Sequence, residues 1–99
     1  MRRVEISDQV RRFVRSRAPE SRKQLRAALR DLARERGDIK RLEGPLKDYF
    51  RLRVRGYRII FQYSRSGKVI QCIFGERRDI VYEIFEKLIH ARLFGGEEG

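Results

Sequence analysis

The sequence predicts an α+β domain in which helices pack on an antiparallel sheet. Three observations predict it. From Phe50 to Val54 apolar residues alternate with arginines, the period of a half-buried strand. Two further runs rich in β-branched and aromatic residues follow, roughly 57–63 and 68–74, each entered through a short polar turn. Stretches before and after this block repeat their apolar residues at three and four, the helical period. The expected order is a short N-terminal strand, a two-helix hairpin, a three-stranded antiparallel meander joined to that first strand, and a C-terminal helix.

Arg2 to Ile6 reads as the first strand, with Val4 and Ile6 facing inward. Ser7 or Asp8 then caps a helix that carries Val10, Phe13 and Val14 on one stripe. Ala18-Pro19 breaks this helix, because the residue before a proline is disfavoured in the helical region. Pro19 opens the second helix from an acceptable first-turn position, and Leu25, Ala28, Leu29 and Leu32 form its apolar stripe. Arg22, Lys23, Arg26, Arg30, Arg34 and Arg36 crowd the other side, with Asp31 and Glu35 as local counter-charges. Gly37 is the expected residue just past its end. Asp38 to Lys47 reads as a connector anchored by Leu42 and Leu46 and turned at Gly44-Pro45.

In the meander, Arg55-Gly56 serves as a two-residue hairpin loop, with Gly supplying the positive φ. Arg53 then faces Arg58, Leu52 faces Ile59 and Phe50 faces Phe61. Phe50, Leu52, Val54, Tyr57, Ile59, Phe61 and Tyr63 share one face; Arg51, Arg53 and Arg58 lie on the other. A loop at Ser64–Gly67 sets Phe61 against Ile70, Ile59 against Cys72 and Tyr57 against Phe74, which puts Phe74 on the same core face. Like charges directly opposite on a sheet are destabilising, so the Arg53–Arg58 pair points to a face made for a polyanion. The last helix is expected from about Asp79, which caps it, with Val81, Ile84, Phe85 and Leu88 as its stripe. Residues 1–94 are read as a single domain and 95–99 as a flexible tail.

Ninety-nine residues suffice for one modest core. Twenty-five Lys and Arg against fourteen Asp and Glu give a net charge of +11, beyond what solubility requires, and favour phosphate-bearing partners or an acidic protein. The basic residues are mostly arginine, whose planar fork matches phosphate. A single cysteine, Cys72, within an apolar run, excludes an internal disulfide and a cysteine-built zinc site, and fits a reducing cytoplasm. No membrane span and no secretory signal are visible. His90 is the sole histidine, so catalysis by a histidine pair is excluded. Carboxylates such as Asp8, Asp31, Asp38, Asp48 and Asp79 are scattered, and neither a metal nor another cofactor is expected.

Three motifs in this order resemble the RelE/ParE toxin superfamily. They are Leu42-x-Gly44-x-Leu46; Tyr49-x-Arg51-Leu52-Arg53-Val54-x-Gly56-Tyr57-Arg58-Ile59; and Gly75-Glu76-Arg77-Arg78-Asp79-Ile80-Val81-Tyr82. The resemblance implies the toxin half of a type II toxin–antitoxin pair, with a cognate antitoxin as protein partner. For the RelE branch it implies a ribosome-dependent endoribonuclease acting on mRNA; for the ParE branch, a DNA gyrase inhibitor without nuclease activity. A catalytically decayed RNA-binding member is a third alternative. In the RelE branch the working residues are basic groups on the central strands, an arginine after the last strand and a tyrosine at the last helix. These fall on Arg51, Arg53, Arg58, Arg77 and Tyr82. Metal-free cleavage by the 2′-hydroxyl needs positive charge around the phosphate and a proton acceptor. Arg58 and Arg77 suit the charge role, and Arg51, Arg55 and Arg78 extend phosphate binding. Arginines at 51 and 53, where the branch often has lysines, cannot give up a proton. Glu76 is the expected acceptor, with a salt bridge to Arg77 or Arg78 as its alternative.

Overall fold

The computed structural model describes residues 1–94; the expected tail at 95–99 lies outside the described residues. The elements are β1 (Arg3–Ile6), α1 (Asp8–Arg15), α2 (Pro19–Leu32), β2 (Asp38–Arg41), a single 3₁₀ turn (Gly44–Leu46), β3 (Phe50–Val54), β4 (Tyr57–Tyr63), β5 (Val69–Arg77) and α3 (Val81–Phe94). They build one five-stranded sheet in the order β1-β5-β4-β3-β2. β1 runs parallel to β5, and the other neighbours are antiparallel. The expected α+β architecture holds and gains a strand, since the first four residues of the expected connector form the edge strand β2.

Helix starts follow their sequence signals. The Ser7 hydroxyl caps α1 by accepting from the Val10 N–H at 3.1 Å, and Pro19 sits in the first turn of α2. The hairpin α1–α2 covers one sheet face, packing Val10, Phe13, Val14, Leu25 and Leu32 on Leu52, Val54, Ile59, Phe61, Ile70 and Cys72. Burial pushes the Cys72 thiol up to about 12, as befits packing material. On the opposite face α3 seats Val81 and Phe85 on Ile60, Phe74 and Leu46. It covers only part of that face and leaves the arginine end open.

The first hairpin has the expected register, with Leu52 opposite Ile59 and Arg53 opposite Arg58. Its left-handed residue, however, is Arg55 (φ 54°), not Gly56. The second hairpin differs from expectation by two residues: Tyr63 pairs with Ile70 and Phe61 with Cys72. Ser64 closes the loop by bonding Val69 through its backbone N–H at 2.8 Å and accepting from the Val69 N–H at 3.1 Å. A four-residue loop of the expected length has moved one residue along the chain. That shifts the pairing by two, so Ile70 and Cys72 keep their face. A bulge between Ile60 and Phe61 then changes the parity, so Ile60 opposes Phe74 and Ile59 opposes Gly75. Phe74 therefore packs under α3, not on the α1–α2 face where it was expected.

Four local expectations are corrected. Ile6 is 36% and Leu88 50% exposed, so neither faces a core. α2 ends at Leu32, well before Gly37, for reasons taken up in the Discussion. α3 begins at Val81, and the Asp79 carboxylate lies 3.8 Å from Arg77 Nε.

Candidate functional site

The sheet register assembles the site. Asp38 on β2 opposes Arg53 on β3, Arg53 opposes Arg58 on β4, and Arg58 opposes Glu76 on β5. Four charged residues thus form one row across four strands, with two carboxylates outside and two guanidiniums inside. One step along, Lys40 opposes Arg51 and Arg51 opposes Ile60, where the floor of α3 begins. This row lies on the α3 side of the sheet.

Arg58 is the most constrained member. It is half-buried, and its Nη1 donates to the carbonyls of Arg55 and Tyr57, each at 2.8 Å. Desolvation holds its pKa below the ordinary arginine value, opposed by the Tyr82 side chain and assisted by the neighbouring charges of Arg53 and Arg51. Tyr82, in the first turn of α3, is therefore brought to Arg58 by the docking of Val81 and Phe85 on either side of it in sequence. Arg51 is the other well-held arginine, with a side chain only 15% exposed. Arg53 stands out from the face, 51% exposed. Between β2 and α3 lies a recess of about 310 Å³ lined by Lys40, Arg51, Leu42, Leu46, Tyr82 and Glu86.

Asp38 was absent from the sequence-derived site, and it is central to the geometry. Its Oδ1 accepts from Arg51 Nη1 at 3.0 Å, and its Oδ2 lies 4.0 Å from Arg53 Nε. The hydrogen bond from Arg51, helped by the charges of Arg51, Arg53 and Arg58, holds its carboxyl below the usual range. The segment Asp38–Arg41 carries one apolar residue, Ile39, and so gives no alternation long enough to read as a strand. The available signal was the unexplained Arg53–Arg58 pair, which called for a counter-charge on a neighbouring strand.

The remaining sequence-derived residues divide. Glu76 joins the row, with its Oε1 accepting from the Arg77 backbone N–H at 2.9 Å. Arg77 pairs with Tyr57, whose ring packs on the α1–α2 core, so Arg77 leaves the sheet on the other face from Arg58. Arg77, Arg78 and Arg55 line a separate depression of about 510 Å³, together with Ser21 and Gln24 of α2. The Arg78 N–H donates to the Gly56 carbonyl at 2.9 Å and ties the end of β5 to the hairpin loop. Among the described residues no group of His, Cys, Asp and Glu is placed to hold a metal ion.

A helical hairpin on one sheet face, a single helix on the other and an arginine row at the open end define the class: a small basic α+β protein with a cationic sheet face. No protein-family model and no curated protein sequence matches the chain. Solved structures do. The archaeal RelE of the RelE–RelB complex from Pyrococcus horikoshii OT3 is 28% identical, with a TM-score of 0.61 over 78% of this chain and 94% of that one. The isolated Escherichia coli RelE toxin is 19% identical, with a TM-score of 0.63 over 89% of this chain and 99% of that one. A YoeB/ParE toxin from Agrobacterium tumefaciens is 15% identical, with a TM-score of 0.63 over 77% and 98%. The chain has the fold of the RelE/ParE toxin superfamily.

Proposed function

We propose that this protein is the toxin of a type II toxin–antitoxin system, a ribosome-dependent endoribonuclease that cleaves mRNA without a metal, and that residues 1–94 are its functional unit. One observation carries the reading. Two arginines are directly opposed on adjacent strands, and the tyrosine of the last helix is held against one of them. A scissile phosphate over Arg53 and Arg58 meets parallel N–H donors that suit its oxygens. Such donors stabilise the charge of a pentacovalent phosphorus more than that of the ground state.

In the reaction the 2′-oxygen bonds to phosphorus and the bond from phosphorus to the 5′-oxygen breaks, leaving a 2′,3′-cyclic phosphate and a 5′-hydroxyl. The proton of the 2′-hydroxyl goes to a carboxylate. Glu76 is the candidate, since it lies beside Arg58 in the row and its orientation is fixed by the Arg77 N–H. Tyr82 supplies the proton to the departing 5′-oxygen, and its ring orders the nucleotide by stacking. Arg51 and Lys40 extend phosphate contact along β3 and β2. Arg55, Arg77 and Arg78, from the other side of the hairpin loop, meet the RNA as it leaves the sheet edge. The cytoplasm is the compartment where such a protein meets ribosomes; no helix among the described residues is long and apolar enough to cross a membrane. RelE of Pyrococcus horikoshii was solved with RelB, and an antitoxin of this kind is the proposed protein partner here.

The test is cleavage mapping. Incubated with translating ribosomes, the native protein produces messenger 5′ ends in phase with codons, and Arg58→Ala abolishes them while keeping the native fold. Absence of phased ends with the native protein sinks the reading. The second reading, a gyrase inhibitor, draws on the lack of lysine on β3, where only arginines stand; a purified-gyrase cleavage assay decides it.

A further inference from the structure

Asp38 stands at the outer end of the row, against two of the arginines proposed to meet RNA phosphate. Its carboxylate engages Arg51 Nη1 at 3.0 Å and lies 4.0 Å from Arg53 Nε, and its backbone carbonyl accepts from the same Arg51 nitrogen at 3.0 Å. A carboxylate and a phosphate offer a guanidinium fork the same kind of paired acceptor oxygens. Asp38 and Glu76 flank Arg53 and Arg58, so the row is formally neutral without a ligand. Asp38 itself is half in solvent, at 52% exposure, and sits on an edge strand from which a carboxylate can be displaced. The carboxylate end of the pair stands in solvent, so an incoming phosphate can compete with it for the guanidinium.

Resting on the reading of this face as an RNA-phosphate site, we propose that the Asp38 carboxylate is an intramolecular stand-in for an RNA phosphate: it holds Arg51 and Arg53 in a binding-ready arrangement and yields them when RNA arrives. Asp38 is then a positioning residue, acting through the arginines. The groups that face it are Arg51 and Arg53 from β3 and Arg58 from β4, with Lys40 two residues on in β2. RNA that takes these cations away from Asp38, and adds its own negative charge nearby, removes what holds the carboxyl acidic.

The experiment uses the full chain and a single-stranded RNA oligomer fully 2′-O-methylated, so that attack by the 2′-oxygen is blocked. Carbon-detected NMR follows the Asp38 carboxyl of the native protein against pH, with and without saturating oligomer. Titration is expected at higher pH in the complex. Asp38→Asn, which keeps the shape and an acceptor oxygen but removes the charge, is expected to bind the oligomer roughly two- to fivefold tighter at low salt. An Asp38 titration that RNA leaves unmoved, or a folded Asp38→Asn protein with no gain in affinity, overturns the proposal. If Asp38→Asn does not fold, the native titration decides alone. Arg58→Ala separates the two readings. Weakened binding supports the phosphate site whatever Asp38 does, whereas unchanged binding removes that site and this inference with it.

Discussion

Gly75 lies where β5 passes beneath Phe13 of α1. A Cβ there would stand 3.0 Å from Ile59 Cδ1 and 3.1 Å from Phe13 Cδ2, too close for either neighbour to stay in place. The Gln9 side chain pairs with the backbone of the same residue, donating to the Gly75 carbonyl and accepting from its N–H, each at 2.7 Å. Gly75→Ala is expected to destabilise by about 1–3 kcal/mol, the usual cost of overpacking. Urea unfolding with an unchanged m value checks it. Asp38 and Glu35 both have folded pKa values below their ordinary ones: Asp38 through its hydrogen bond from Arg51, Glu35 through those from Tyr63 and Arg2. A depressed carboxyl contributes stability above its unfolded pKa, and that contribution is lost as pH falls through the lower folded value. The acid limb of a stability–pH curve is therefore expected to flatten in Asp38→Asn and in Glu35→Gln, with little change near neutrality in the slope.

Helix α2 shows why an element boundary was misplaced. Arg36 N–H bonds to the Asp31 carbonyl at 3.1 Å and Glu35 N–H to the Leu32 carbonyl at 2.8 Å, the two bonds of a Schellman closure. Its left-handed position, usually glycine, is filled by Glu35 at φ 55°. Glu35 is held there from outside the helix: Tyr63 Oη donates to Oε1 at 2.7 Å and Arg2 Nε lies 3.0 Å from Oε2. Both partners are remote in sequence, so Gly37 was the only visible stop signal. Glu35→Ala and Glu35→Gly lose the same contacts, but Ala alone keeps the backbone strain. The Gly variant is expected to melt a few degrees higher than the Ala variant in a thermal scan.

Helix α3 connects packing to the site. Phe85 is 3% exposed and meets the Tyr49 ring edge-on at 5.0 Å, with Phe74 at 6.0 Å. Phe85→Ala removes the main anchor one turn beyond Tyr82, and a loss of about 3 kcal/mol or more is expected. Because Tyr82 reaches Arg58 only while α3 is docked, phased cleavage should fall with it, and Phe85→Leu should restore much of both. Activity that survives Phe85→Ala unchanged would remove Tyr82 from the proposed site.

For the whole molecule, the net charge of +11 is spread over both sides of the sheet, while the proposed contact rests on a few cations. Single-stranded binding loses about 0.7 in the slope of log K against log salt for each phosphate contact. Seven contacts, through Lys40, Arg51, Arg53, Arg55, Arg58, Arg77 and Arg78, predict a slope near −4.9 for the native protein, and Arg53→Ala should reduce it by about 0.7. A far steeper slope would mean that the outer arginines of α1 and α2 share the RNA.

The amphipathic stripes of α1 and α2, the Ser7 cap and the register of the first hairpin could be read directly because each rests on neighbours in the chain: a period of two or of about 3.6, a Ser before a helix, a two-residue loop between strands. So could the Arg51, Arg53 and Arg58 face, which follows from alternation once that loop is placed. The bulge that carries Phe74 to the other side of the sheet could not, because it inserts Ile73 between Cys72 and Phe74, and both Ile73 and Phe74 then pack under α3. Nor could the separation of Arg77 from Arg58: the sequence places both near one end of the sheet, and only the bulged pairing decides which face each takes. Asp38 is the plainest case. Its four-residue strand has no pattern of its own and exists because β3 offers it an edge. Local periodicity is written in the chain, whereas the counter-charge that completes the arginine row comes from a strand that forms only once the sheet is there to receive it.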